Sequence, residues 1–116
     1  MDIKASALED ITAVTVTGRV DSTTADSLTT RLTELVKSGA SRLLIDLKEV
    51  SYISSAGFRT LLITSRAVAT AKGAMVLCGI SAETKRLFDL GGFSELFAIA
   101  SSRDDALVML RTAGGA

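Results

Sequence analysis

Two adjacent serines, Ser54 and Ser55, are the residues whose type and position best suit chemistry. They follow an apolar stretch and precede an amphipathic one that begins at Phe58, so they lie where a helix begins. A serine in that position is a preferred N-cap, and capping alone explains it. The position also suits a phosphate, because the free N–H groups and the dipole of a helix N-terminus favour an anion. A phosphate there would add about −1.5 to −2 charges to a small, uncharged surface, so it would end docking without changing the fold.

A serine hydrolase is the enzymatic alternative for this segment. Ser55-Ala-Gly57 after a strand has half of the G-x-S-x-G pattern, but Ile53 stands where the first glycine belongs. The chain contains no histidine, so the usual base that activates a serine is missing. Glycine-rich phosphate loops are absent, and segment 91–93 (GGF) follows a helix, which favours a plain turn. These observations predict a protein that is not an enzyme and has no cofactor.

Two carboxylates follow predicted strands and are candidates for a shared site. Asp46 ends one strand, and Asp21 lies just beyond another. In parallel sheets, ligands and partners bind at the carboxyl ends of the strands, so both side chains could share that edge with Ser55. Simpler interpretations also exist. Asp46 is then a turn-forming carboxylate, and Asp21 is a helix N-cap beside Ser22 and Thr23. The residues alone leave these alternatives open.

Composition limits the remaining classes of partner. Thirteen basic residues balance thirteen acidic ones, so net charge gives no reason to expect nucleic acid or an anionic membrane. The single cysteine, Cys78, lies in an apolar run and cannot form an internal disulfide, which fits a reducing cytoplasm. The longest uncharged run covers ten residues, 73–82, whereas a membrane span needs about 20. We therefore expect a cytoplasmic protein without a metal site.

Hydrophobic periodicity predicts strands that alternate with helices, in the order β-β-α-β-α-β-α-(β)-α. The predicted strands cover residues 3–8, 13–17 (ended by Gly18), 42–47, 74–78 and, more weakly, 96–100. Four helices are predicted. The first follows the N-cap candidates 21–23 and ends at Gly39, and the second runs from Phe58 to a C-cap at Gly73. The third covers 82–90, and the fourth follows a cap at Ser102. This alternation predicts an α/β fold with a largely parallel sheet.

The apolar stripes of the helices predict which positions face the core. These are Leu28, Leu32, Leu35 and Val36; then Phe58, Leu61, Leu62, Ser65, Val68 and Ala69; and finally Ala106, Leu107 and Leu110. No linker or low-complexity tract divides the 116 residues. We therefore predict one domain over residues 1–116, with a core at about 8–111 and a flexible tail at 112–116.

Two central segments, 43–47 (LLIDL) and 50–62 (VSYISSAGFRTLL), match a known family. They resemble the STAS domain of bacterial anti-sigma factor antagonists. Segment 18–21 (GRVD) is similar to the family's Gly-x-hydrophobic-Asp, and segment 79–97 is similar to its later strand, helix and turn. The resemblance covers about residues 8–111. It implies a single STAS domain, with a mixed, largely parallel sheet of four to five strands packed with about four helices.

The resemblance also implies a non-enzymatic partner switch. The unphosphorylated antagonist binds an anti-sigma factor that is a serine kinase, and this releases the sigma factor. Phosphorylation by the kinase ends the binding, and a metal-dependent serine phosphatase restores it. The family's phosphorylated serine lies two residues before its glycine, so counting back from Gly57 gives Ser55. Ser54 stands where the family usually has aspartate and is a rival acceptor, and Ala56 replaces a second hydroxyl.

The docking face implied by the resemblance surrounds that serine, with Asp21 as its surface carboxylate. It consists of Asp21, Ser22, Thr23, Ser54, Ser55, Ala56, Gly57, Phe58 and Arg59. Phe58 also begins the apolar stripe of its helix, so a place in the core is the alternative for that residue. The alternative function is an unswitched STAS adaptor subunit of a transport or stress-signalling complex. A weak homodimer stays open.

Overall fold

Six strands and four helices alternate along the chain in the computed structural model, which describes residues 1–112. The strands are β1 (Asp2–Leu8), β2 (Ile11–Val20), β3 (Arg42–Asp46), β4 (Val50–Ile53), β5 (Ala74–Cys78) and β6 (Ala98–Ile99). The helices are α1 (Ala25–Lys37), α2 (Ser55–Thr70), α3 (Ala82–Leu90) and α4 (Arg103–Thr112), and a short 3₁₀ turn (Phe93–Glu95) precedes β6. The predicted α/β class is confirmed.

The strands form one mixed sheet in the order β1-β2-β3-β5-β6, with β4 paired to β2 outside that path. Strand β1 is antiparallel to β2, and every other pairing is parallel. The mixed, largely parallel sheet was predicted, but with four to five strands. The additional strand is β4, which the sequence did not indicate. Strand β4 has only four residues, and two of them, Ser51 and Tyr52, are exposed. It therefore lacks the apolar run by which a buried strand is recognised.

Strand β2 pairs with two different parallel neighbours. Its first half, from Thr12 to Thr15, pairs with β3, and the part beyond Gly18 pairs with β4. The register shifts between Gly18 and Arg19, and Gly18 has a φ of 101°, which suits glycine. The prediction that Gly18 ends the strand is wrong, because this irregularity redirects the strand and lets it continue to Val20.

The sheet has a hydrophobic core on each face. Leu43 and Ile45 of β3 belong to the larger cluster, which contains the buried side chains of α1, α2 and α3. Leu44 points to the other face and packs with Ala106 and Leu110 of α4. Strand β3 is therefore buried on both sides, as its nearly continuous apolar run predicts.

Helix α1 follows its predicted pattern. Leu28 and Leu32 are buried, and Leu35 and Val36 pack partly buried against the same cluster. At the end of the helix, Gly39 has a φ of 110°. Its N–H donates to the Val36 carbonyl, and the N–H of Ala40 donates to that of Leu35. This hydrogen-bond pair is the Schellman arrangement, so the predicted glycine C-cap is confirmed.

The buried face of helix α2 matches the prediction only in part. Phe58, Leu61 and Val68 are buried, Leu62 and Ser65 are partly buried, and Ala69 is exposed. Thr60 and Thr64 occupy buried positions instead. Thr64 Oγ1 donates to the Thr60 carbonyl at 2.9 Å. Thr60 Oγ1 lies 3.2 Å from two carbonyl oxygens, that of Ala56 on its own helix and that of Ala25 on α1. A threonine that bonds to its own helix can be buried at low cost.

The predicted C-cap role of Gly73 is also wrong. Lys72 is the residue with left-handed backbone, at a φ of 59°, and the N–H of Gly73 donates to the Val68 carbonyl. Glycine is needed at position 73 for a different reason. A side chain there would collide with the carbonyl of Ser41, so the absence of a Cβ lets the start of β5 approach the start of β3.

The C-terminal elements largely match their predictions. Helix α3 begins after Ser81, whose hydroxyl accepts from the N–H of Thr84 at 3.1 Å. Ser102 caps α4 in the same way, by accepting from the N–H of Asp105 at 3.1 Å. Strand β6 is shorter than predicted. Thr112, the first residue of the predicted tail, ends α4, and positions 113–116 lie outside the described residues.

Candidate functional site

The two serines occupy the junction between β4 and α2. Helix α2 begins at Ser55, and Ser54 is the extended residue before it. The N–H of Ser54 donates to the Val20 carbonyl at 2.8 Å, and the Ser54 carbonyl accepts from the N–H of Phe58 at 3.1 Å. Ser54 therefore belongs to both the sheet and the helix. Gly57 allows this close packing, since a Cβ at position 57 would lie 2.9 Å from Val20 Cγ1.

The two serine side chains have opposite environments. Ser55 is exposed at the surface. The Ser54 Oγ atom is buried and has no hydrogen-bond partner within residues 1–112, and it makes no cap bond to the helix. Simple capping is therefore the wrong interpretation of the Ser54 side chain. The Ser54 residue is partly exposed but its hydroxyl oxygen is buried, whereas Ser55 is an exposed residue.

Asp21 is held in a tight turn before α1. Its Oδ1 atom accepts from the N–H of Thr23 at 2.9 Å and from the hydroxyl of Thr23 at 2.6 Å. These hydrogen bonds, with a smaller contribution from Arg19, lower the pKa of Asp21, so its carboxylate is ionised at neutral pH. The N-cap position belongs to Thr24, and the helix begins at Ala25. The prediction of a cap at Asp21, Ser22 or Thr23 is therefore wrong.

The turn at Asp21 and the start of α2 lie at one corner of the molecule. Strands β2 and β4 run parallel and end side by side, since Val20 pairs with Ile53. Asp21 follows the end of β2 directly, and Ser55 follows the end of β4 after Ser54. Ser22, Ala56 and Arg59 line a shallow groove of about 290 Å³ between α1 and α2. The structure thus brings together the surface members of the predicted docking face, which are Asp21, Ser22, Thr23, Ser55, Ala56 and Arg59.

Gly57 and Phe58 lie beneath this surface. Phe58 is 8% exposed, and its ring stacks on Phe93 at 5.2 Å and meets Phe88 edge-on at 4.8 Å. The core alternative is therefore correct for Phe58. Gly57 is buried against β2 and β4. Neither residue offers a side chain to a partner, and both fix the position of the first turn of α2.

Asp46 forms a separate structural contact. Its Oδ1 atom accepts from the N–H of Lys48 at 3.0 Å, and its Oδ2 atom lies 3.0 Å from Arg103 Nη1. The carboxylate shapes the turn after β3 and ties it to α4. These contacts support the turn-forming interpretation of Asp46. They connect it to Lys48 and Arg103 and do not include Ser55.

Two residues beside the corner were missed by the sequence reasoning. The guanidinium carbon of Arg19 lies 4.4 Å from the ring centroid of Tyr52. Arg19 is within the GRVD segment, but its proximity to Tyr52 follows only from the pairing of β2 with β4. Sequence reasoning could have placed Arg19 beside Tyr52 only if β4 had been predicted as a strand paired with β2. Thr29 and Thr60 were also missed, and their hydroxyls, 2.8 Å apart, join α1 to α2.

Other kinds of site find no support in the part of the chain that the structure describes. Residues 1–112 contain no group of three or more side chains that could hold a metal ion. Within the same residues, none of the helices combines the length and apolar character needed to cross a membrane. The pKa of the Cys78 thiol is raised to about 11, mainly by burial and to a smaller extent by the Asp46 carboxylate. This buried cysteine is therefore a poor nucleophile.

The fold and the site define a class of protein. It is a small α/β domain that presents an exposed serine at the start of a helix, close to a carboxylate held by hydrogen bonds. The family model described as STAS domain matches residues 2–106, and the chain belongs to that family. A Bordetella bronchiseptica protein, BtrV, assigned as an anti-sigma factor antagonist, is 34% identical over 96 residues, 83% of each chain. The anti-sigma-B factor antagonist of Bacillus subtilis is 31% identical over 104 residues, 90% of this chain and 93% of its own.

Solved structures share the same architecture. A Thermotoga maritima protein assigned as an anti-sigma factor antagonist superposes with a TM-score of 0.89 at 13% identity, covering 94% of both chains. An anti-sigma factor antagonist from Mycobacterium paratuberculosis gives a TM-score of 0.86 at 25% identity, covering 95% of this chain and 93% of its own. The phosphorylated form of the Bacillus cell fate determinant SpoIIAA gives 0.72 at 15% identity, covering 95% of this chain and 100% of its own.

Proposed function

We propose that this chain is a cytoplasmic anti-sigma factor antagonist that acts by partner switching. Its unphosphorylated form binds an anti-sigma factor that is a serine kinase, and the sigma factor is released. The kinase then transfers a phosphoryl group from ATP to the Ser55 hydroxyl, and the complex dissociates. A metal-dependent serine phosphatase removes the phosphate by hydrolysis. The chain itself catalyses no step and carries no cofactor in this scheme.

The exposure of Ser55 beside the buried Ser54 hydroxyl is the observation that carries the proposal. A kinase must reach the oxygen that it modifies, and the Ser54 oxygen is enclosed by the protein. Position 55 is also the first residue of a 16-residue helix. The first amides of such a helix are free to accept an anion, so a phosphate at Ser55 is compatible with the fold.

The charges around Ser55 explain why phosphorylation would end docking. Helix α2 has no acidic residue in its first turn, and Arg59 lies one turn along the helix from Ser55. These features favour the modified form of the chain itself. Asp21 is ionised at the same corner. A partner that packs onto this corner would have to bury about −1.5 to −2 added charges beside that carboxylate, which costs desolvation and repulsion.

The relatives support this assignment by their names, since both aligned sequences carry the description anti-sigma factor antagonist. The SpoIIAA structures, which share this fold, were determined in an unphosphorylated and in a phosphorylated form. For that protein, the same architecture accommodates both states. The proposal extends this behaviour to the present chain and places the modification at Ser55.

The experiment combines mass spectrometry with binding. The chain is incubated with ATP and a candidate anti-sigma factor serine kinase from the same organism, and the modified residue is located by peptide fragmentation. We expect phosphate on Ser55 in the wild type and in Ser54→Ala, and none in Ser55→Ala. Ser55→Asp should lose kinase binding, while Ser6→Asp, an equal change on the exposed strand β1, should keep it. Unchanged binding of both Ser55→Asp and Ser55→Ala would overturn the switch and favour the unswitched adaptor.

A further inference from the structure

Arg19 and Tyr52 form an exposed, ordered pair beside the docking corner. They are directly paired in the β2–β4 ladder, so their side chains leave the same face of the sheet. The Arg19 guanidinium carbon lies 4.4 Å from the centroid of the Tyr52 ring. Both side chains remain accessible, at 62% exposure for Arg19 and 46% for Tyr52. A cation held over an aromatic face loses rotational freedom before any partner arrives.

This pair is continuous with the corner that contains Ser55. Asp21 lies two residues after Arg19, just beyond the end of β2, and Arg19 Nε lies 3.5 Å from Asp21 Oδ2. Tyr52 is three residues before Ser55, and Ile53 pairs with Val20 between them. The adjacent ends of β2 and β4 therefore place the stacked arginine, the fixed carboxylate and Ser55 near one another.

The chemistry of the pair points to a carboxylate ligand. The contact with Asp21 uses the Nε atom, so the two terminal nitrogens of the guanidinium remain for a bidentate contact. Tyrosine and arginine are the residues that most often carry binding energy at protein interfaces. A stacked arginine also resists replacement by lysine, which has no planar fork.

We propose that Arg19, stacked on Tyr52, binds an aspartate or glutamate of the partner serine kinase and thereby selects a partner with an acidic surface at this point. This inference rests on the proposed function, since it names a second contact of the same docking surface. Ser55 then reports the phosphorylation state, while Arg19 and Tyr52 determine which partner binds.

The test measures affinity between the purified chain and the kinase that phosphorylates it, at about 50 mM and about 300 mM salt. Arg19→Glu should weaken binding about tenfold or more at low salt, with a smaller effect at high salt. Arg19→Lys should fall between Arg19→Glu and the wild type. Tyr52→Phe should bind like the wild type, whereas Tyr52→Ala should be weaker. Arg66→Glu is the matched control, because Arg66 is exposed near the far end of α2.

Circular dichroism melting of each variant verifies that the fold is intact. Equal affinity of Arg19→Glu and Arg66→Glu, with binding still lost in Ser55→Asp, would refute the role of Arg19 and leave the partner switch standing. Tighter binding of Arg19→Glu would also refute it, because the partner would then present a cation. If the wild type did not bind the kinase, or if Ser55→Asp bound equally well, the proposed function would fail and this inference with it.

Discussion

Replacement of Ser54 by alanine separates two physical accounts of the start of α2. If the Ser54 side chain capped the helix, its loss would cost about 0.5–2 kcal/mol of stability. The structure gives a different expectation, because the Ser54 Oγ atom is buried and has no partner within residues 1–112. A buried hydroxyl without a hydrogen bond carries a desolvation penalty of about 1–3 kcal/mol, which alanine would remove.

The net expectation follows from these two terms. Removing one buried oxygen also forfeits part of its packing, at a cost of up to about 1 kcal/mol. We therefore expect Ser54→Ala to raise the free energy of unfolding by about 0–3 kcal/mol, with about 1 kcal/mol as a representative value. For a domain of this size, 1 kcal/mol corresponds to a rise in Tm of roughly 4 °C. The capping account predicts a fall of similar size, so the two expectations differ by about 2 kcal/mol.

Urea denaturation at equilibrium, with scanning calorimetry beside it, measures this difference. Ser81→Ala is the matched control, because the Ser81 hydroxyl accepts from the N–H of Thr84 at 3.1 Å and caps α3. Ser81→Ala should lose about 1 kcal/mol by the same measurement. A loss for Ser54→Ala as large as that for Ser81→Ala would refute the reasoning, since it would mean that the Ser54 hydroxyl does stabilise its helix.

Three further substitutions test other contacts. Gly57→Ala should destabilise the fold by about 1–3 kcal/mol, because its Cβ would lie 2.5 Å from Ile53 Cγ1; a wild-type melting curve would contradict this. Lys72→Gly should stabilise by roughly 1 kcal/mol, because Lys72 has left-handed backbone; a lower urea midpoint would disprove it. Burial raises the pKa of Cys78 from 9.0 to about 11, which favours the protonated thiol in the folded state. The resulting contribution to the free energy of unfolding, up to about 2–3 kcal/mol, is fully present below pH 9 and is lost as the pH rises through 11. The stability of wild type relative to Cys78→Ala should therefore fall between pH 8 and 11, and a constant difference would contradict this.

Local patterns predicted most of the fold. Strand β3 and helix α3 were predicted because an apolar run and a helical period are properties of consecutive residues. The positions of the Gly39 and Ser102 caps were predicted for the same reason, since a cap depends on residues within one turn.

Features that depend on distant parts of the chain were not predicted. Strand β4 exists because β2 changes partner at Gly18, and no sequence pattern in residues 50–53 shows that pairing. The burial of Thr60 depends on Thr29 and the Ala25 carbonyl, which lie on another helix. In each case a tertiary contact overrides the local preference of the residue.

In the candidate site, too, features set by neighbouring residues were predicted and features set by tertiary contacts were not. Position 55 was selected by the resemblance to the STAS family, whose phosphorylated serine lies two residues before the glycine that Gly57 matches. The burial of the Ser54 oxygen, which makes Ser54 a poor rival, depends on how the strand end packs below the helix. Likewise, the contact of Arg19 with Tyr52 requires the register of two strands that are about thirty residues apart in sequence.

The attachment of Ser54 to the sheet has a consequence for the kinase that we propose modifies Ser55. The residue before Ser55 is bonded to β2, and the two residues at positions 57 and 58 are buried in the core. The acceptor therefore cannot be drawn out as an extended strand into a kinase cleft without local unfolding. The proposed kinase would therefore have to recognise Ser55 within a folded corner made from two separate stretches of chain. A short peptide copied from residues 50–60 would lack the other stretch, so it would be a poor substitute for the intact domain.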